Sequence, residues 1–203
     1  TLLASMVSHL VYTGFEYQVN EDIKNGGLNK YLVKPVNYRS YQFFSFLGEK
    51  APQLLILLAV AAAILIFSVA VLGLMLSFPR VLAFLVSLIL ALVLNFFIFY
   101  CVALISFWLT DVNLLFGTVS VVLVVVSGGV FPMDIFGERI AFAVNLLPFG
   151  YTTQFPVNII NGRFGLRETG AGFLCQIFWI CCFGMLAEIL WKRGLKRFTA
   201  VGG

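Results

Sequence analysis

Long uncharged apolar runs dominate the chain, and one long polar run interrupts them near the front. Residues 51–78, 81–110 and 112–131 carry no charge from end to end, and residues 169–191 carry only Glu188. About 20 mainly apolar residues, each rising 1.5 Å, cross the hydrocarbon of a bilayer as a helix. These four stretches therefore predict four complete spans, with turns at Pro79-Arg80 and Asp111 and with Trp108 as an interfacial belt residue. Residues 1–17 are apolar but short, and Ser5, Ser8, His9, Tyr12 and Thr13 soften them. They predict the end of a further span, and a start at Thr1 within an apolar run predicts residues and one span upstream.

The polar run, residues 20–50, holds five of the thirteen Lys and Arg residues and three of the nine acids. Residues 21–24 followed by Asn25-Gly26-Gly27 predict a short helical turn with acids at its start and a glycine stop. Leu28, Tyr31, Leu32, Tyr38, Tyr41, Phe43, Phe44 and Phe46 then alternate with Lys30, Lys34 and Arg39, a pattern suited to a helix or hairpin in the headgroup layer. Pro35 holds its predecessor extended and separates the two pieces. The run reads either as a solvated loop with aromatic anchors or as a docking element for a cytosolic subunit.

Residues 132–167 follow a different rule. Their apolar runs are interrupted by Pro148, Pro156 and Asn161-Gly162, and each run is too short to cross. This predicts a re-entrant hairpin of two short helices in the outer leaflet. Pro148 ends the first, since it lacks an N–H and restricts the residue before it. Backbone groups freed there need protein or water, so the break is expected to face a subunit interface.

Composition sharpens the class. Hydrophobic residues make up 61% of the chain, charged residues 11%, and the mean hydropathy is +1.02, far from the balance of soluble domains. The chain is an integral membrane protein of all-α class. Nine of the thirteen basic residues lie in residues 20–50 and the tail, residues 192–203. Four crossings separate these regions, so both can face the cytoplasm under the positive-inside rule, and the net charge of +4 needs no nucleic acid to explain it. Glu188 and Lys192 are spaced i,i+4 at the end of the last span.

Reactive chemistry is sparse. No phosphate-binding GxxxxGK[ST] run is present, and no paired intramembrane carboxylates or buried cations of the kind ion-driven carriers use are visible. Cys101, Cys175, Cys181 and Cys182 read as small apolar side chains within spans. His9, the one histidine, has no visible partner for a metal site or a catalytic relay. Asn95 reads as an interhelical hydrogen bonder or, less directly, as a substrate contact. An ATP-independent carrier or channel, a structural membrane subunit and a membrane enzyme are rival readings, the last without a reactive cluster to support it.

Four segments carry a resemblance in chain order: EDIKNGGLNKYLVKPVNYRSYQ after a span, SFWLTDVNLLF at a turn, SGGVFPMDIF with NLLPFGYTTQFPVNIINGR, and LWKRGLKRFTAVGG at the end. The chain resembles a bacterial type-2 ABC transporter permease, of the exporter-like six-span group. That resemblance implies an all-α polytopic fold with a re-entrant outer hairpin, the first span being absent from this chain. It implies a second permease, identical or related, and two cytosolic ATP-binding subunits that hold ATP and magnesium, with no cofactor or metal in the chain itself and no catalytic residue. Glu21, Asp22, Ile23, Lys24, Asn25 and Gly26 match the coupling helix that meets those subunits. Pro132, Asn145, Pro148, Phe149, Tyr151 and Pro156 fall in the outer gate hairpin, and Asn95 and Tyr100 are candidate path-lining residues. The expected location is the bacterial cytoplasmic membrane, in contact with lipid.

Overall fold

The computed structural model describes residues 2–11, 13–72, 78–109, 112–126 and 147–198, with helices and turns and no strand among them. The described α-helices are α1 (Leu2–Val11), α2 (Phe15–Lys24), α3 (Asn29–Leu32), α4 (Tyr38–Leu72), α5 (Phe78–Leu104), α6 (Asn113–Val126), α7 (Gln154–Ile160) and α8 (Leu166–Leu195). Single 3-10 turns at Ile105–Phe107 and Pro148–Tyr151 extend α5 and precede α7. In lipid every backbone N–H must find a carbonyl within the chain, which is why the apolar runs close into helices. Tyr38–Ala63, Phe78–Phe107 and Leu166–Leu195 are long and apolar enough to cross a bilayer, and Asn113–Val126 is a shorter apolar helix.

α5 is the central post. Leu88, Ala91, Leu92, Leu94, Phe96, Ile98, Phe99, Ala103 and Leu104 are buried around its circumference, and α1, α2, α6, α7 and α8 all pack on it. α8 runs parallel to it. The Gln176 amide donates to the Ser87 carbonyl, Cys101 lies against the Phe183 carbonyl, and Gly194 sits under the Phe107 ring. Both helices therefore finish at one end of the molecule, with Trp191, Phe107 and Phe198 in ring contact. That end also carries Lys192, Arg193, Lys196 and Arg197 and is called the basic end below. The other helix faces are covered by exposed aliphatic side chains such as Leu55, Leu82, Val86, Val121, Leu174 and Ile189, the surface a lipid environment requires.

Two boundaries differ from the sequence expectation. The aromatic, basic stretch after Asn37 is the beginning of α4, continuous with the apolar run after Ala51. Asn37 Oδ1 accepts from the N–H groups of Arg39 (3.1 Å) and Ser40 (3.3 Å) and so starts the helix. Charges at Glu49 and Lys50 and a proline at Pro52 disguise this continuity in the sequence. The front of the chain likewise holds two helices: α1 stops at Val11, and α2 restarts at Phe15 after Gly14 (φ −152°, ψ −10°).

α1 and α2 follow one another in the chain and both pack on α5. α1 packs against α4, α5 and α7. Phe15 stacks on Phe96 at 4.9 Å, and at the far end of α2 Asp22 meets Tyr38, which stacks on Trp191 at 5.4 Å. The polar residues of α2 therefore lie beside membrane-spanning helices, although the sequence expectation placed the start of the water-exposed loop at Asn20.

Candidate functional site

At the basic end, α2, α3 and the start of α4 form a hairpin clasped by side chains. The Tyr38 hydroxyl donates to Asp22 Oδ2 (2.8 Å) and accepts from Gln42 Nε2 (2.9 Å), and all three residues are buried. The Leu28 N–H donates to the Asp22 carbonyl at 2.9 Å, and a Cβ on Gly27 would collide with the Asp22 carboxylate. Gly26 takes a positive φ of 72°, a conformation that ends helices at little steric strain only in glycine. The predicted helical turn with its glycine stop is thus present, in a helix that starts at Phe15, nearly two turns earlier than the acids suggested.

This packing divides the coupling residues into two sets. Asp22 and Ile23 are buried against this chain's own core, whereas Glu21 and Asn25 are exposed and Lys24 is half-buried. Leu32, Val33, Val36 and Phe44 add an exposed apolar patch beside them. Tyr31 packs on Tyr38 and Tyr41, and its hydrogen bond with Tyr41, followed by burial, pushes its phenol up to about 12. It stays neutral at neutral pH, so Glu21, Lys24, Lys30 and Lys34 carry the charge of this surface.

A second junction joins the hairpin to α8. Arg39 Nη1 donates to Glu188 Oε2 at 2.9 Å, and Lys192 Nζ reaches Glu188 Oε1 at 3.2 Å. The predicted i,i+4 pair is therefore present, and Arg39 is a member of the cluster that spacing alone could not supply.

At the opposite end the Pro148–Tyr151 turn packs on α8 and α7 packs on α5. Pro148 begins the 3-10 turn after an extended Leu147 (ψ 154°), as a proline demands of its predecessor. Residues Phe155 to Ile160 of α7 are buried, and Gly172 leaves room for the Phe155 ring, which a Cβ there would overlap. Gln176 Nε2 also donates to the Tyr151 carbonyl at 2.9 Å, tying the turn to α8. Phe149 and Tyr151 are half-buried, and Pro156 is buried in the first turn of α7. A cavity of about 450 Å³ opens here between Tyr151, Gln154, Asn158, Arg163 and Glu168. Pro132, Asn145 and the helix that Pro148 was expected to end lie outside the described residues.

The family model for the ABC-2 family transporter protein matches residues 1–202. The chain belongs to the ABC-2 transporter family. A search of curated proteins gave no match, and neither did a search of solved structures. The chain is the membrane, permease component of an ABC transporter, and its all-α polytopic fold agrees with that family. Members of the family associate with ATP-binding components.

In the ABC-2 permease, Asn95 and Tyr100 are both 0% exposed and sit inside this chain's core, with Tyr100 stacked on Phe96. Neither is exposed at the surface of this chain. Exposed polar side chains include Ser5 and His9 on α1, Gln18 and Glu21 on α2, Gln53 on α4 and Thr118 on α6. The i,i+4 spacing of Ser5 and His9 and the i,i+3 spacing of Gln18 and Glu21 were legible, but the sequence reading ended the apolar piece at Tyr17 and began the polar loop at Asn20, which splits α2. Glu16 and Lys50 were missed altogether. They are 1% and 8% exposed, and they correct the expectation that no buried cation is present. Among the described residues no cluster of His, Cys, Asp or Glu could hold a metal ion.

Proposed function

We propose that this ABC-2 permease is the membrane subunit of an ATP-driven exporter in the bacterial cytoplasmic membrane. Two cytosolic ATP-binding subunits and a second permease complete it, and access alternates between the two faces. The exporter assignment follows the resemblance of the sequence motifs. The observation that carries the path is the polar face of α1 and α2, which this reading takes as one broken span. Ser5, His9 and Gln18 are exposed beside membrane-spanning helices, and polar groups at that depth require protein or water as neighbours rather than lipid. A second permease facing this span across a wet path meets that requirement.

The surface of the hairpin supplies the other half of the reading. Glu21, Lys24 and Asn25, together with Leu32, Val33 and Val36, form a mixed charged and apolar contact for the ATP-binding subunit. Glu21→Lys should leave the chain folded but lower substrate-stimulated ATP hydrolysis by the assembled transporter. For the path, cysteines at Ser5, His9 and Gln18 should react with a charged thiol reagent, at rates that change when ATP turnover is arrested by vanadate. Rates equal in both states at all three positions would remove this span from the path.

A further inference from the structure

We propose that the cavity between the start of α5, the end of α7 and the start of α8 is a binding site for a phosphate-bearing membrane lipid, with Arg80 as the phosphate ligand. The site lies at the end opposite the hairpin and is separate from the path proposed along α1 and α2.

The cavity measures about 350 Å³, a size at which ligands are held by an apolar lining with a few fixed polar groups. Pro79, Ala83, Ile159 and Phe164 make the apolar wall, and Arg80 and Thr169 are the polar side chains on it. Phe164 also lines the neighbouring cavity of about 450 Å³, so the two spaces adjoin at its ring.

The turn that ends α7 holds Arg80 in place. Gly162 takes a φ of 72°, and its N–H donates to the Ile159 carbonyl at 3.1 Å. A Cβ added there would stand 3.0 Å from Arg80 Nη1. The missing side chain thus lets the guanidinium lie on the turn, at the carbonyl end of α7, where the helix dipole favours a cation. Arg80 is half-buried, and it forms no ion pair with a carboxylate among the described residues, where both ion pairs belong to Glu188 at the basic end. Of the described residues, the end opposite carries Arg80, Arg163 and Arg167 against one acid, Glu168. That acid lines the neighbouring cavity and accepts from the Gly165 N–H at 2.8 Å. A planar guanidinium offers paired donors that match the oxygens of a phosphate.

Position decides between a lipid and a free anion. Arg80 is the third residue of α5, and Thr169 stands in the first turn of α8. Both helices are long and apolar enough to cross a bilayer, so the cavity lies where a span leaves the hydrocarbon and meets the headgroups. Phe78 and Leu166, beside it, are 79% and 94% exposed, an apolar rim that acyl chains can cover. Basic pockets between spans recognise anionic lipid headgroups, and this cavity joins such a cation to such a rim.

The test uses the assembled transporter in maltoside micelles. Cys101, Cys175, Cys181 and Cys182 are replaced by alanine, and Thr169→Cys puts a reporter in the cavity wall. The readout is the rate of its reaction with an uncharged maleimide, whose local concentration a charged lipid does not change. Phosphatidylglycerol, diacylglycerol with the same acyl chains, and inorganic phosphate are added separately. Phosphatidylglycerol should slow the reaction severalfold, and the other two should leave it unchanged. Arg80→Gln should abolish the protection, whereas Arg167→Gln, which removes an exposed charge outside the cavity, should keep it. Equal protection by diacylglycerol would mean an apolar groove, and equal protection by inorganic phosphate a site for a free anion; either would overturn the proposal. So would the absence of protection by phosphatidylglycerol, or protection that survives Arg80→Gln. If Arg80→Gln fails to assemble, the comparison of the three additions on the parent still decides between these outcomes.

Discussion

Asp22 and Ile23 show how one residue's neighbours decide what a substitution reports. The Asp22 carboxylate is buried and held by the Tyr38 hydroxyl, so Tyr38→Phe leaves a desolvated acceptor unfilled and should cost about 1–3 kcal/mol of stability. Thermal unfolding of the purified chain measures it, and an unchanged midpoint would mean that water replaces the phenol. Ile23 lies in the same core, so Ile23→Asp should abolish folded protein, by several kcal/mol, and cannot serve as a probe of partner contact; Glu21→Lys can. Close packing sets a second residue-level expectation. Gly194→Val and Gly172→Val would drive side chains into the Phe107 and Phe155 rings, an overpacking worth roughly 1–3 kcal/mol. Gly184→Ala should be neutral, because its new Cβ would meet Phe97 at an ordinary 3.8 Å. None of these distinctions is legible in the sequence: three glycines on one apolar helix look alike until the neighbouring helix supplies its rings. The burial of Glu16 was hidden for the same reason, since one acid at the edge of an apolar run gives no sign of the helices that cover it.

Helices and turns were far more legible than contacts. The stop at Asn25-Gly26-Gly27 follows from local chemistry alone, and the structure places a positive-φ glycine at Gly26. The start of α4 was obscured because Glu49, Lys50 and Pro52 look like the end of a loop, whereas the cap at Asn37 depends on a side chain turning back on its own backbone. Between elements, two polar junctions differ in weight. Arg39 and Glu188 are 37% and 42% exposed at the side chain, so Arg39→Ala should cost only about 0.2–1 kcal/mol, and added salt should shrink the difference further. Gln176 is buried and bridges α8 to the Ser87 and Tyr151 carbonyls. Gln176→Leu leaves the Tyr151 carbonyl without this donor and should cost about 1–3 kcal/mol. The loss should be local: amide exchange should rise at residues 148–160 well before it rises in α5. Uniform exchange across both would mean that the turn is held by packing alone.

At the scale of the whole molecule, the three long apolar helices at Tyr38–Ala63, Phe78–Phe107 and Leu166–Leu195 were readable from hydropathy, and the packing of the chain around α5 was not. An apolar helix gives no sequence signal of which face meets lipid and which meets protein, since both are aliphatic. What hydropathy and charge do yield together is orientation. Lys24, Lys30, Lys34 and Arg39 share an end with Lys192, Arg193, Lys196 and Arg197, because α4 starts and α8 finishes beside the same Tyr38 and Trp191 rings. Arg80, Arg163 and Arg167 belong to the opposite end, where the Arg80 guanidinium packs over Gly162. Basic residues gather on the cytoplasmic side of a bilayer, and the larger cluster should therefore face the cytoplasm. Reporter positions follow from the structure. Asn37 would be a poor choice, since it caps α4, and replacing such a cap costs about 1 kcal/mol. Val33 is 82% exposed and caps α3 only through its backbone N–H, which a cysteine keeps, and at the exposed Gly165 an added Cβ would meet nothing closer than the Glu168 carboxylate at 3.9 Å. In intact cells Gly165→Cys should react with a membrane-impermeant thiol reagent. Val33→Cys should react only once the cytoplasmic side is opened, and the reverse pattern would invert the molecule in the membrane and take the hairpin away from the ATP-binding subunits.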